Sequence, residues 1–452
     1  MTYLKRKIDD YLSQWKDDPE HLPLIVRGPR QVGKTESILC FAKDNYQSVI
    51  YVNFVERPDF KMITRDGYSV ESIVRSMSLL DTTMSFEAHK TLIFFDEVQD
   101  FPEIATALKF FKIDGRFDVI CSGSMLGVNY AAIQSVSVGY KTDYTMRSMD
   151  FEEFLWAVGR DDAFVSDILG QIIQMRPLGE LMLGVLNRAY LDFCVLGGMP
   201  AVVRGYVERG TFEKSLELQR QLLADYREDA RKYAQGLDQA RIINVFDHIP
   251  IQLAKENKKF QLSKIENGAR YKDYRGCVEW LADAGIVNVC YCLDSATLPL
   301  KGNYDERKYK LYCADTGLLV SMLDEEAQLD LRSHDNLGVY RGGLAENAAG
   351  EALVKQGYRL YYYKRENSTL EEDFFVRKGD DLVPVEIKAT NNRTKSLNTL
   401  IASDMYPEVR YGIKFAEADA GYAGGKFTLP RSCTFLFRRW LQAVDIERHL
   451  AS

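Results

Sequence analysis

No stretch of this chain reaches the roughly 18 consecutive apolar residues that a membrane-spanning helix needs, so no transmembrane segment is expected. The eight cysteines form no C-x-x-C pair and are scattered from Cys40 to Cys433, which argues against a zinc module or a disulfide framework in a chain of this length. Cys290 and Cys292 share a strand face without histidine neighbours and read as small core residues. The five histidines stand apart, so no catalytic dyad or metal cluster is visible. Excess positive charge is missing too: a formal net charge of -7 excludes a protein whose whole surface coats nucleic acid, and leaves room only for a local basic face. The chain has no internal repeat and no low-complexity run, and a secretory apolar segment is lacking at its start. There, Leu4, Ile8, Leu12 and Trp15 make one stripe of an amphipathic helix among charges. A reducing cytoplasm is the expected setting.

What is present is a globular composition, 46% hydrophobic and 27% charged, over 452 residues, enough for about three compact units. The first 160 residues alternate strand-like and helix-like segments, the pattern of a parallel sheet covered by helices. Strands are expected at about 23–27, 48–54, 91–95 and 117–121, with helices at about 33–43, 69–80 and 103–113. "DFEEFLWAVG" reads as a further helix opened by Asp150 as N-cap. Residues 161–235 have a helical period, broken at "GGMP", and read as a lid or connector. Residues 236–324 give three short helices and a hairpin, the layout of a winged helix. Residues 325–452 form a separate α/β unit.

The stretch "IVRGPRQVGKTESIL" satisfies G-x-x-x-x-G-K-[ST] between an apolar strand and a helix, the context in which that pattern cradles a phosphate. Gly28 and Gly33 let the backbone N–H groups of the loop Gly28, Pro29, Arg30, Gln31, Val32 and Gly33 turn inward, and the helix opened by Lys34, Thr35 and Glu36 adds its positive dipole end. Lys34 supplies a point charge at the β and γ phosphates, and Thr35 a hydroxyl for Mg²⁺. The ligand expected is therefore a nucleoside triphosphate with Mg²⁺, and the resemblance described below makes it ATP.

A second signal is independent. "TLIFFDEVQD" is an apolar run ending in two carboxylates, as expected where a doubly buried parallel strand reaches the ligand edge of its sheet. Asp96 is expected to support the metal and Glu97 to activate the attacking water. "DVICSGS" ends at the same edge, where Ser124 or Ser122 reads either as a γ-phosphate sensor or as a turn serine.

The stretches "GPRQVGKT", "FFDEVQD", "ICSGSML", "SMDFEEFLWA", "GGMP" and "YCADTGLL" together resemble the prokaryotic AAA-superfamily ATP-binding proteins that carry a C-terminal domain of unknown function. That resemblance spans nearly the whole chain. It implies a P-loop NTPase core of the AAA/ASCE type, ATP hydrolysis, and a restriction-endonuclease-like fold at the far C-terminus. Many members have Gly-Arg where this chain has Gly139 followed by Tyr140. Arg147 and Arg116 are the substitutes in view, but arginine is usually a surface charge, and no arginine finger is assigned.

In the C-terminal unit, Glu386 and Lys388 lie two apart on one strand, hence on one face. With Asp373 and Glu346 they resemble the nuclease pattern Glu, Asp, then Glu-x-Lys, in which carboxylates hold Mg²⁺ beside a scissile phosphate. An ordinary ion pair on a wet strand face is the competing reading. Between Lys255 and Glu279 seven basic residues oppose four acidic ones, and a basic helix face with Tyr271 and Tyr274 suits a DNA backbone, while a winged helix that serves only as a packing module beside an ATPase core is an equal alternative. Two outcomes stay open: an ATPase acting on DNA, with or without metal-dependent cleavage, or an ATP-gated module whose idle nuclease-like domain recognises a protein partner.

Overall fold

The computed structural model describes residues 3–124, 139–234, 239–255, 258–266, 268–333 and 340–451. Met125 and Leu126 of "ICSGSML", and the two residues before Gly139, lie outside them. The chain forms two compact units, one of residues 1–148 with 283–285 and one of 149–282 with 286–452.

The first unit is built on five parallel strands: β1 (Leu24–Arg27), β2 (Ser48–Asn53), β3 (Thr91–Asp96), β4 (Asp118–Gly123) and β5 (Thr142–Thr145). Their order is β2-β3-β4-β1-β5, so β4 lies between the strand that feeds the glycine loop and the strand that ends at Asp96. Every side chain of β3 is buried, which an apolar run covered on both faces requires. On one face Ile25, Ile50, Val52, Ile93 and Phe95 meet α3 (Val70–Leu80) and α4 (Ile104–Asp114) through Ile73, Met77, Leu108 and Phe111. Helix α1 (Lys7–Asp17) buries Ile8, Leu12 and Trp15, the stripe read from the sequence. Helix α2 (Lys34–Asn45) begins directly after Gly33, whose φ of 94° is left-handed and suits glycine. Strand β5 was not among the expected strands; its four residues carry no strong apolar alternation, and pairing with β1 alone makes it a strand.

The second unit begins with a helix at Phe151–Ala157, capped reciprocally by Asp150 and Glu153 as a capping box. Helices at 162–173, 180–196, 200–209 and 213–233 follow. The first of these is tied to the chain's end, where the Trp440 indole donates to Ile172 O at 2.9 Å. "GGMP" and "YCADTGLL" meet. Gly198 N donates to Asp315 Oδ2 at 2.8 Å, and the other Asp315 oxygen accepts from Leu318 N at 3.2 Å. A Cβ on residue 198 would lie 1.9 Å from Met149 O, and one on residue 317 would lie 2.2 Å from Leu196 O. These glycines are a packing requirement.

After helices at 239–247, 249–253 and 271–283 come β6 (Val287–Leu293) and β7 (Tyr304–Cys313), an antiparallel pair. The hairpin does not stand alone: β6 also pairs in parallel with β8 (Leu360–Lys364), which continues to β9 (Glu371–Glu372). A second sheet, in the order β10-β11-β12-β14-β13, uses β10 (Phe374–Lys378), β11 (Asp381–Ile387), β12 (Gly412–Ala416), β13 (Gly421–Ala423) and β14 (Lys426–Pro430). Tyr361, Tyr362 and Tyr363 are all buried, as packing residues on both faces of β8. Cys290 and Cys292 are buried too. Among the described residues no helix is long and apolar enough to cross a membrane.

Candidate functional site

At the C-terminal edge of the first sheet, the chain leaves β1 into the loop Gly28–Gly33. Gly28 has no room for a side chain, since a Cβ there would stand 2.0 Å from Met146 O, and its φ is 154°. Gln31 adopts a left-handed φ of 62°. The Lys34 ammonium is buried and donates to Gly28 O at 3.0 Å and Pro29 O at 2.7 Å, so the loop's own carbonyls occupy two of its three donors. Burial lowers its pKa to about 8, opposed by the charges of Glu97 and Asp96.

Asp96, only 2% exposed at the end of β3, collects donors from four directions. Thr35 Oγ1 lies 2.9 Å from Oδ2 and the Tyr51 hydroxyl 3.1 Å from the same oxygen; Glu97 N donates to Oδ1 at 3.0 Å, and the Ser122 hydroxyl also donates to Oδ1. The two residues expected to share a metal are therefore hydrogen-bonded neighbours. Ser122 is committed to Asp96, whereas Ser124 faces Glu97, whose Oε2 accepts from it at 3.4 Å and also from Gln99. Glu97 is held in a left-handed conformation, φ 55° and ψ 43°, a costly state for a residue with a side chain and one that clusters at functional sites.

Arg6 is a participant that sequence reasoning missed. Its buried guanidinium donates to Val32 O at 2.7 Å and to Arg147 O at 2.8 Å, bracing the loop from a position 26 residues upstream. Nothing local marks it, because its partners come from the loop and from the segment after β5. Tyr51 and Gln99 were missed for the same reason. Of the two arginines in view, Arg116 precedes β4 and so sits at the opposite sheet edge, paired with Asp114 at 2.7 Å. Arg147 follows β5 at the loop edge, and burial lowers its pKa.

The residues fit a nucleotide with Mg²⁺: a loop whose Gly28 leaves no room for a Cβ, a buried ammonium, and a hydroxyl 2.9 Å from a buried carboxylate. Fold and site together define a P-loop nucleotide-binding domain. In line with this, residues 20–155 match the family model described as "AAA domain", so the chain carries an AAA-type ATPase domain. Residues 187–329 and 341–433 match two models described as domains of unknown function, DUF8612 and DUF4143. No curated protein matches the chain.

Solved structures similar to it include a Walker-type ATPase of Pyrococcus abyssi, with 14% identity and TM-score 0.44 over 71% of this chain and 96% of that one. The Orc1 protein of Aeropyrum pernix in complex with DNA has 12% identity and TM-score 0.30 over 73% and 91%. PCH-2 of C. elegans has 10% identity and TM-score 0.25 over 52% and 63%. Likenesses this distant carry no inference about activity or partner.

In the second unit Glu346, Asp373, Glu386 and Lys388 are gathered, together with Lys310 and Glu372, which sequence reasoning missed, and Lys258, which it counted only within the basic stretch 255–279. Glu346 is 1% exposed, and both its oxygens are taken. Lys310 donates at 2.9 Å, the Tyr312 hydroxyl at 2.5 Å, and Lys258 closes the other side. Burial pushes the Glu346 carboxyl up, but the two lysines outweigh it and hold the group below the usual carboxylate range. Asp373, half-buried, is raised to about 7 by desolvation and by the neighbouring Glu346, and its Oδ2 accepts from Ile387 N at 2.9 Å. Burial and the neighbouring Glu386 push Glu372 well up, and Lys388 pairs with Glu386. Among the described residues no group of three or more His, Cys, Asp or Glu is arranged to hold a metal ion.

The helix Tyr271–Asp283 offers less to DNA than its charge suggested. Tyr274 is buried, its hydroxyl donating to Glu266 at 2.8 Å, and Arg275 is paired with Glu279 at 2.7 Å.

Proposed function

We propose that this chain is a Mg²⁺-dependent ATPase of the cytoplasm whose second unit engages nucleic acid. The observation that carries the ATPase reading is the 2.9 Å contact between Thr35 and Asp96, with Lys34 and Glu97 at the same sheet edge. Lys34 would exchange the carbonyls of Gly28 and Pro29 for phosphate oxygens. Thr35 and Asp96 would hold Mg²⁺, which supplies charge neutralisation at the β and γ phosphates. Glu97 would orient and polarise the attacking water, and Ser124, beside it, would respond to the γ-phosphate. Pro29, Arg30, Gln31, Val32, Gly33 and Glu36 complete the cradle. The free state of all eight cysteines supports the cytoplasmic setting. The test is ATP turnover by the purified protein, with and without single- and double-stranded DNA. Lys34→Ala should abolish turnover and Glu97→Gln should leave ATP bound and uncleaved; undiminished turnover in either variant refutes the assignment.

We read residues 161–235 as a connector, 236–324 as winged-helix-like and 325–452 as restriction-endonuclease-like. One observation favours an idle nuclease-like site over an active one: Lys258 and Lys310 stand against Glu346 where a metal would be needed. In that reading Glu346, Asp373, Glu386 and Lys388 shape a recognition domain, for nucleic acid or for a protein partner. Supercoiled DNA incubated with Mg²⁺ or Mn²⁺ should then stay intact. Nicking that disappears in Glu386→Ala would restore the active reading.

A further inference from the structure

A cavity of about 700 Å³ opens in the second unit, and nothing in the nucleotide site uses it. Its lining includes Lys259, Lys308, Lys364 and Arg365 against one acid, Glu366, in a chain of formal net charge -7. Two of the basic groups, Lys364 and Lys308, are held in ion pairs. Lys364 ends β8 and pairs with Glu371 at 2.8 Å; Glu371 in turn pairs at 3.0 Å with Lys310, which holds Glu346. A chain of alternating charges therefore runs from the cavity to the buried carboxylates. The cavity's outer wall is the turn between β8 and β9. Arg365 N donates to Leu370 O at 3.0 Å, and Leu370 N to Ser368 Oγ at 3.1 Å, with Asn367 left-handed at φ 55°. That closed turn sets the Asn367 amide and the Ser368 and Thr369 hydroxyls beside the cations. Glu366 pairs with Lys308 at 2.9 Å, yet its side chain is 81% exposed and can swing away.

Small-molecule pockets are mostly apolar with a few polar groups. Here four cations surround a floor that includes Cys292 and Tyr362, and cations with hydroxyl and amide donors are the set that grips backbone phosphates. The volume exceeds what a lone oxyanion fills, while a duplex is too wide to enter it. We propose that this cavity binds the phosphodiester backbone of a single-stranded nucleic acid. The inference rests on the nucleic-acid role proposed above and places the contact here instead of on the helix Tyr271–Asp283; it requires no ATP hydrolysis.

The experiment is fluorescence anisotropy of a labelled oligothymidylate with the full chain, without ATP, across a series of salt concentrations. Arg365→Glu, in an exposed turn, should weaken binding about tenfold and flatten the slope of log K against log salt by about 1. Lys308→Glu should do the same, and Glu366→Gln should tighten binding. Four results would overturn the proposal: no binding by the native protein, native affinity in Arg365→Glu that keeps its circular-dichroism melt, loss of binding in Lys272→Glu alone, and complete displacement by inorganic phosphate or adenosine monophosphate at matched phosphate concentration, the mark of a small-anion site. Absent ATP turnover with retained oligonucleotide binding would refute the ATPase and leave this inference standing.

Discussion

A methyl group at residue 28 has nowhere to go, because Met146 O stands 2.0 Å from where it would be built. Gly28→Ala should therefore shift the loop, and isothermal titration is expected to show ATP affinity reduced at least about tenfold, the effect of misplacing donors to a charged ligand. Glu97 makes a different kind of demand. Its left-handed backbone holds the carboxylate between Gln99 and Ser124, and Glu97→Gln keeps the shape while removing the charge. Single-turnover measurements should show cleavage slowed about a hundredfold or more, with binding retained. For Arg6→Ala the expectation is structural: two carbonyls, of Val32 and Arg147, lose their donor. Each buried unsatisfied group costs about 1–3 kcal/mol, so chemical denaturation should show a clear loss of stability, and ATP affinity should fall with it. Lys34, Thr35, Asp96 and Glu97 were legible in the sequence because a phosphate cradle and a buried strand end have fixed local patterns. Arg6 was not, since an arginine after a tyrosine and two other residues is no pattern at all.

Among elements, the loop after α1 meets the start of β4 through His21, whose Nε2 lies 3.0 Å from Asp118 Oδ1. The hydrogen bond to Asp118 raises the His21 pKa, and the Asp118 pKa is lowered because His21 and Tyr46 outweigh its burial. The two signs define a window. The carboxylate's contribution is lost as pH falls through its depressed folded pKa, and the imidazolium's is full below the ordinary histidine value and lost as pH rises through the raised one. Thermal melts should therefore lose stability from about pH 6.5 upward, and Asp118→Asn should remove that dependence. The interlock of "GGMP" with Asp315 gives a sharper expectation. Gly198→Ala drives a Cβ to within 1.9 Å of Met149 O, and a loss of several kcal/mol in urea unfolding is expected, since rigid backbone cannot yield as a side chain does. Strands β1 to β4 and their helices could be read from apolar runs and caps. The pairing of β6 with β8 could not, because it joins residues about 70 positions apart, and strand pairing over such a distance leaves no periodic trace.

At the scale of the molecule, two compact units of unequal size predict calorimetric behaviour that is not two-state. Magnesium and ATP should raise the component belonging to residues 1–148 by about 2.7 kcal/mol at a hundredfold excess over Kd, and the Lys34→Ala protein should show no such rise. A uniform upward shift in that variant would place nucleotide binding elsewhere.

The sequence by itself determined the phosphate loop, the buried carboxylate strand and the alternating order of the first sheet, since each rests on contacts along a few residues or on burial of a continuous run. It also supplied the acids and the lysine of the C-terminal cluster. Only the tertiary structure decided what those acids face. Lys310 comes from β7, and Lys258 from the segment that Phe260 N ties to β7 by donating to Tyr309 O at 2.8 Å; both reach Glu346 on the helix Tyr340–Lys355. Whether a carboxylate is available to a metal depends on which cations the fold brings within hydrogen-bonding distance, and that is a property of long-range packing.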